Sequence, residues 1–290
     1  MRAATRGSLG AVIPKRVRGP RWVRLIPWLG VVMFIGLSLI SIFPEKFAPY
    51  DPTRLVARPL SKPSEEHPLG TNDIGQDLLS ELIWGTRVSL GVGLTVAAVA
   101  VSVGVAVGVV SGYFGGWVGT TLMRLADLTL VLPFLPLVIL LGAYLGPSLK
   151  NVVLILVLVS WAGPARLVRA RVLSLMSAPY VEAARALGSS HLRLMARHIW
   201  PGVRNIALVQ AVLVASVSIL AEASLSFLGL GDTTAKSWGM MLYFARASGA
   251  FLGDAWQWWV LPVGGMISAT VLSLVLISYG LEGRGKAGSV

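Results

Sequence analysis

The sequence predicts an all-α membrane protein with six transmembrane helices, and three observations carry that expectation. Of its 290 residues, 55% are hydrophobic and 13% charged, with a mean hydropathy of +0.74, whereas a soluble domain carries about 25% charged residues. Six apolar stretches approach the roughly 20 residues needed to cross ~30 Å of hydrocarbon at 1.5 Å per residue. The net charge of +12 is concentrated in segments that alternate with acidic ones along the chain. In a soluble protein such a charge would point to nucleic acid. Here it reads as orientation and attraction to lipid headgroups, so membrane lipid is the expected partner and nucleic acid is not.

The elements follow in order. Residues 1–24 carry Arg2, Arg6, Lys15, Arg16, Arg18, Arg21 and Arg24 without an acid, which predicts a cytoplasmic N-terminal segment. The first span, 25–43, follows a leader of over twenty residues and shows no A-x-A cleavage pattern after it, so it reads as an anchor rather than a signal peptide. Residues 44–87 hold seven acids and five bases, as expected of an extracytoplasmic segment. Residues 88–280 form a core of five further spans near 88–111, 121–145, 151–163 (extending past Pro164), 205–227 and 258–279. Its loop 164–204 holds seven arginines against Glu182 alone, and the topology puts it inside. The tail, 281–290, also falls inside and carries Arg284 and Lys286.

Within the spans, Gly104, Gly108 and Gly112 repeat at G-x-x-x-G spacing, which lets helix backbones approach closely and indicates a packed bundle. Two ionisable residues fall inside spans, and each is a functional candidate because burying charge in lipid is costly. Asp127 either pairs with Arg124 at i+3 or lines a solute path, the pair being the simpler reading. Glu222 either hydrogen-bonds a hydroxyl on a neighbouring helix or lines that path. Pro133 and Pro136 predict a kink in the third span or a site beside the pathway. Trp256, Trp258 and Trp259 read as an interfacial aromatic belt. No Cys, G-x-S-x-G or H-E-x-x-H is present, so neither catalytic residues nor a metal site are proposed, and no phosphate-cradling loop marks a nucleotide site. Any ATP that drives this chain must be bound by another.

The inner loop is the most informative segment. Pro179 suits the first turn of a helix through Glu182, Ala183, Ala184 and Arg185, and Gly188, after Leu187, suits the left-handed residue that ends it. Ser189 or Ser190 is placed to cap a second helix, Leu192, Leu194, Met195 and Ile199 form an apolar stripe, and Pro201 is placed to stop it. Two short helices joined by a glycine turn fit a groove of another protein, with Glu182 and Arg185 orienting the contact. A basic amphipathic loop lying on the membrane surface is the alternative.

The pattern Glu182-Ala183-Ala184, Gly188 and Pro201 resembles the EAA loop of ABC importer permeases. Two further stretches narrow the likeness, His67-Pro-Leu-Gly70-Thr71-Asn72-Asp73-Ile-Gly75-Gln76-Asp77 and Leu225-Ser226-Phe227-Leu228-Gly229-Leu230-Gly231 followed by Ser237-Trp238-Gly239. Over residues 25 to 282 the chain is similar to the C-type membrane subunit of the dipeptide, oligopeptide and nickel permease family. It departs from that pattern at Asn72, Gln76 and Trp200 and in a shortened outer loop before Ser237. The resemblance implies the type I ABC importer architecture in a prokaryotic plasma (inner) membrane, with both termini cytoplasmic. It implies four partners: a second homologous permease subunit, two ATP-binding subunits and an extracytoplasmic solute-binding protein. It further implies that Glu182, Ala183, Ala184, Arg185, Leu187, Gly188, Ile199 and Pro201 couple the chain to the ATPase, and that no cofactor is bound by the chain itself. The candidate path residues remain Glu222, Asp127 and Pro133, and the solute a di- or oligopeptide, a nickel chelate or another small molecule. The rival reading is a secondary transporter that couples an ion through Glu222 and Asp127. A signalling or scaffold subunit without transport would leave both acids without a purpose.

Overall fold

The computed structural model describes residues 25–287, so the basic segment 1–24 lies outside the described residues. Helix α1 (Ile26–Ile42) has Pro27 in its first turn, where a missing N–H costs nothing. It turns Trp28, Leu29, Val32, Ile35 and Leu39 outward and packs along the last helix, α12 (Val260–Ala287). Gly30 makes that approach possible, since a Cβ there would lie 2.6 Å from the Ser273 carbonyl oxygen. A single turn, α2 (Pro44–Phe47), then leads into the extended outer segment.

Helix α3 (Leu78–Phe114) runs 37 residues, starting ten residues before the expected span. Asp77 explains the early start: its Oδ2 accepts hydrogen bonds from the Ser80 backbone N–H at 2.8 Å and from Ser80 Oγ at 2.6 Å, satisfying donors that a helix N-terminus leaves free. The expected third span, 121–145, is two helices, α4 (Gly116–Val131) and α5 (Phe134–Leu145), bent by 89°. Leu132 is extended, at ψ 135°, as a residue preceding proline prefers. Helices α6 (Leu149–Ser160) and α7 (Ala162–Met176) form one 28-residue stretch, so Arg166, Arg169 and Arg171 ride on a helix rather than in a loop. The loop narrows accordingly from the expected 164–204.

Beyond it come α8 (Pro179–Ala186), α9 (His191–Leu194), a π-helical turn over Met195–Ile199 and α10 (Trp200–Phe227), the last three continuous. Helix α11 (Trp238–Ala247) and a 3₁₀ turn over Asp254–Gln257 precede α12. Helix α12 continues through residues expected to form a separate tail.

Among the described residues, four stretches are long and apolar enough to cross a membrane: Leu78–Phe114, Leu149–Met176, His191–Phe227 and Asp254–Glu282. The bent α4–α5 pair is a fifth if its arms count as one span. The remaining expected span is α1, with 17 residues.

Helices α3 and α7 pack most intimately, along the glycine stripe. A Cβ on Gly104 would lie 2.7 Å from the Trp161 carbonyl oxygen, on Gly108 2.7 Å from those of Ala165 and 2.7 Å from Val168 Cβ, and on Gly112 2.8 Å from Val172 Cβ. Polar contacts gather at the two ends of the bundle. One end joins Lys62 to Asp254 and Glu81 to Lys236; the other joins Tyr113 to His191 and Arg171 to the Gly202 carbonyl.

Candidate functional site

The segment joining α7 to α10 is built as its punctuation predicts. Ala178 is extended, Pro179 occupies the first turn of α8, and Gly188 takes φ +80°, a conformation that costs a residue with a Cβ. The turn closes in the Schellman pattern, with Gly188 N–H donating to the Arg185 carbonyl at 3.0 Å and Ser189 N–H to that of Ala184 at 3.1 Å. Val181, Leu194 and Ile199 are buried, Ile199 within a cluster that includes Val168, Val172, Leu175 and Val203. Glu182, Ala183, Arg185, Leu187, Gly188 and Pro201 are exposed and Ala184 is half-buried. Leu187 is 87% exposed. Among the described residues neither Glu182 nor Arg185 forms an ion pair, and the Arg185 guanidinium rests near Met176 Sδ at 3.6 Å.

Three expectations for this loop are corrected. No serine side chain caps α9. Leu192 is exposed rather than part of a buried stripe. Pro201 does not stop the helix: the π-helical turn before it supplies a register change, and Pro201 then falls in the first turn of α10, where no N–H is required. Ile199 is an anchor in the core, not part of the exposed face.

At the opposite end, two buried carboxylates hold the loop before α11. Glu222 is 0% exposed. Its Oε2 accepts from Ser89 Oγ on α3 at 3.1 Å and its Oε1 from Ser226 Oγ at 2.8 Å, so its oxygens are engaged within the chain. Ser89 Oγ in turn accepts from the Trp238 N–H at 3.2 Å, and the Trp238 indole donates to the Leu82 carbonyl at 3.1 Å. Ser237 caps α11 by accepting from the Met240 N–H. Gly239 lets α11 seat on α10, since a Cβ there would lie 2.7 Å from Ala223 Cα. Each residue of Ser237-Trp238-Gly239 thus has its own packing or capping reason.

The second carboxylate, Glu81, pairs with Lys236 and accepts from Asn72 Nδ2 at 3.2 Å. Lys236 also donates to Gln76 Oε1 at 2.6 Å. Asn72 Oδ1 receives the N–H groups of Ile74 and Gln76 at 3.1 and 2.9 Å, and Gly75, at φ +94°, completes the turn. His67 Nδ1 lies 3.0 Å from Asp77 Oδ1. The His67–Asp77 stretch is therefore a hydrogen-bonded cap on α3, and neither Glu81 nor Lys236 was singled out from sequence. Trp259 is buried and Trp258 half-buried, both in the core cluster, and only Trp256 is exposed, which corrects the expected belt.

On α4, Asp127 is half-buried and Arg124 exposed. They form no ion pair within 4 Å among the described residues, which corrects the expected local pair. Pro133 opens α5 at the bend, beside an apolar groove of about 380 Å³ lined by Leu125, Leu128, Leu132, Leu137, Leu158 and Trp161. The structure does not bring Asp127, Pro133 and Glu222 into one site.

Long apolar helices, a broken span and an exposed two-helix loop at the basic end define a polytopic helical membrane protein. Residues 104–281 match the family described as binding-protein-dependent transport system inner membrane component, and the chain belongs to that family. It is 36% identical over 262 residues to the di/tripeptide transport system permease protein of Pseudomonas aeruginosa, covering 87% of this chain and 85% of that protein. It is 41% identical over 267 residues to the dipeptide transport system permease protein of Escherichia coli, covering 88% and 86%. With the dipeptide transport system permease protein of Alkalihalophilus pseudofirmus it shares 34% identity over 260 residues, covering 88% and 83%.

Proposed function

We propose that the chain is a non-catalytic permease subunit of an ATP-driven importer of di- or oligopeptides in a prokaryotic inner membrane. It works with a second homologous permease subunit, two ATP-binding subunits that carry the ATP, and an extracytoplasmic solute-binding protein. Six crossings, by α1, α3, α4–α5, α6–α7, α9–α10 and α12, put both termini and the α8–α9 loop in the cytoplasm. The sorting of contacts supports this alternation. The segments assigned outside meet one another through Lys62–Asp254 and Glu81–Lys236, and those assigned inside meet through Tyr113–His191.

The observation that carries the coupling role is the exposed face of α8, where Glu182, Ala183, Arg185 and Leu187 stand uncovered on a helix tied down by Val181 and a Schellman turn. Small alanines permit close seating in a partner's groove, and the two charges fix its orientation. Closure of the ATP-binding subunits would move this rigid unit and change which side of the path is open. The peptide assignment follows the names of the relatives. Affinity purification of tagged wild type and Glu182→Lys, combined with uptake of a radiolabelled dipeptide, tests the reading. Wild type should elute with a second permease and ATPases, and the variant should insert normally but lose the ATPases and uptake. Uptake by the variant at the wild-type rate would refute the coupling role.

A further inference from the structure

We infer that Tyr113 is a positioning residue for the coupling loop, fixing through His191 the register between that loop and α3. This inference rests on the coupling role proposed above and adds a residue that the loop motif does not contain. The Tyr113 hydroxyl lies 2.6 Å from His191 Nδ1. With the ring proton on Nε2, the hydroxyl donates to that nitrogen. The two rings meet edge to face at 5.6 Å between centroids, and Phe114 closes on the same imidazole at 6.3 Å. Among the described residues this is the hydrogen bond that joins α3 to the segment 177–199; the other side-chain bonds of that segment reach only Ser174 and Met176.

The position of the two residues gives the bond its consequence. His191 opens α9, three residues after Gly188, so it stands where the glycine turn hands the chain on to the second helix. Tyr113 is the penultimate residue of α3 and packs against the Val168–Val172–Leu175 cluster. The apolar anchors Val181, Leu194 and Ile199 hold the loop to the body, but apolar contacts are non-directional and tolerate sliding. A hydrogen bond between two aromatic side chains does not. Tyr113 thereby sets where α8 stands relative to α3, the helix whose other end carries the Glu81–Lys236 pair. Removing the hydroxyl should leave the loop attached but poorly registered.

The test uses the purified complex in proteoliposomes, measuring basal ATPase, ATPase stimulated by peptide-loaded binding protein, dipeptide uptake and subunit content. Tyr113→Phe keeps the ring and removes only the donor. It should retain all subunits and basal ATPase while stimulated ATPase and uptake fall about five-fold, the effect of one hydrogen bond. His191→Asn, which keeps an acceptor near the Nδ1 position, should stay closer to wild type than His191→Leu. The Tyr113→Phe/His191→Leu double variant should be no worse than the worse single one. Wild-type stimulation in Tyr113→Phe, with subunits intact, overturns the inference and leaves the coupling reading standing. A wild-type chain that elutes without ATPases overturns both. Should Tyr113→Phe fail to assemble, the His191 pair decides: a difference between Asn and Leu supports the inference, and equal behaviour overturns it.

Discussion

Substituting Gly108 with alanine tests the close packing of α3 against α7. The added Cβ would lie 2.7 Å from the Ala165 carbonyl oxygen and 2.7 Å from both Val168 Cβ and Cγ1. Ordinary contact begins near 3.4 Å, so α3 and α7 must part by about 0.7 Å at this level. The neighbours are a backbone carbonyl and a β-branched side chain in the middle of a helix, neither of which swings aside, and overpacking of this kind costs about 1–3 kcal/mol. The helix propensity of alanine over glycine offsets up to about 1 kcal/mol of that. Gly91 supplies the control on the same helix, because a Cβ there meets nothing within 4 Å and only the propensity gain remains. The two variants should therefore differ by about 2 kcal/mol, with opposite signs relative to wild type. At roughly 2–4 °C per kcal/mol for a chain of this size, Gly91→Ala should melt about 4–8 °C above Gly108→Ala. The assay is heating of the detergent-solubilised chain followed by size-exclusion chromatography of the remaining monodisperse protein. A Gly108→Ala melting temperature at or above that of Gly91→Ala would refute the close approach of α3 and α7.

The buried carboxylates give two further expectations, read by the same melts. Glu222→Ala leaves the Ser89 and Ser226 hydroxyls without their acceptor and should cost about 2–3 kcal/mol, whereas Glu222→Gln keeps an acceptor and should lose less than half as much. Equal losses would mean that the hydrogen bonds contribute little. Lys236→Ala strands the Glu81 carboxylate at 4% side-chain exposure and should destabilise by about 3 kcal/mol. Adding Glu81→Gln should restore most of that, and a double variant no better than Lys236→Ala would sink the idea that the pair is what matters.

The helix-packing stripe and the basic loop between α7 and α10 were legible because both are local patterns. Glycine at every fourth position lies on one face of α3 whatever it packs against, and Pro179 and Gly188 bracket α8 by backbone rules that need no tertiary partner. Helix ends were harder to read where hydropathy and hydrogen bonding disagree. Arg166, Arg169 and Arg171 lowered the apolar signal after Ser160, yet α7 continues because its other face buries Val168, Val172 and Leu175. At the start of α3, Glu81 and Arg87 hid a helix that the Asp77 and Ser80 cap already announced. Pro133 signalled a break in the third span, but an 89° bend depends on how α5 packs against α6 and α10. The Arg124–Asp127 spacing suited an ion pair, yet Asp127 flanks the face that Met123 and Ala126 bury while Arg124 turns outward.

The contacts that no local pattern shows are those that tie the ends of the bundle together, and several of them converge on α3. Lys236 meets Glu81 across 155 positions and Glu222 meets Ser89 across 133, so neither pair has a sequence signature. A helix of 37 residues is about 55 Å long, against ~30 Å of hydrocarbon, so it is far longer than a crossing requires. One end is fixed by Asp77 and Glu81 to the segment capped by His67 and to the loop before α11; the other is fixed by Tyr113 to the loop that carries Glu182. Between them, Gly104, Gly108 and Gly112 lock the lower half of α3 against α7, leaving little room for the two helices to slide independently. If α8 is the coupling segment proposed above, a force applied there would be carried by α3 and α7 as one body, and the loop before α11 would have to move with that body or break the Glu81–Lys236 and Ser89–Trp238 contacts.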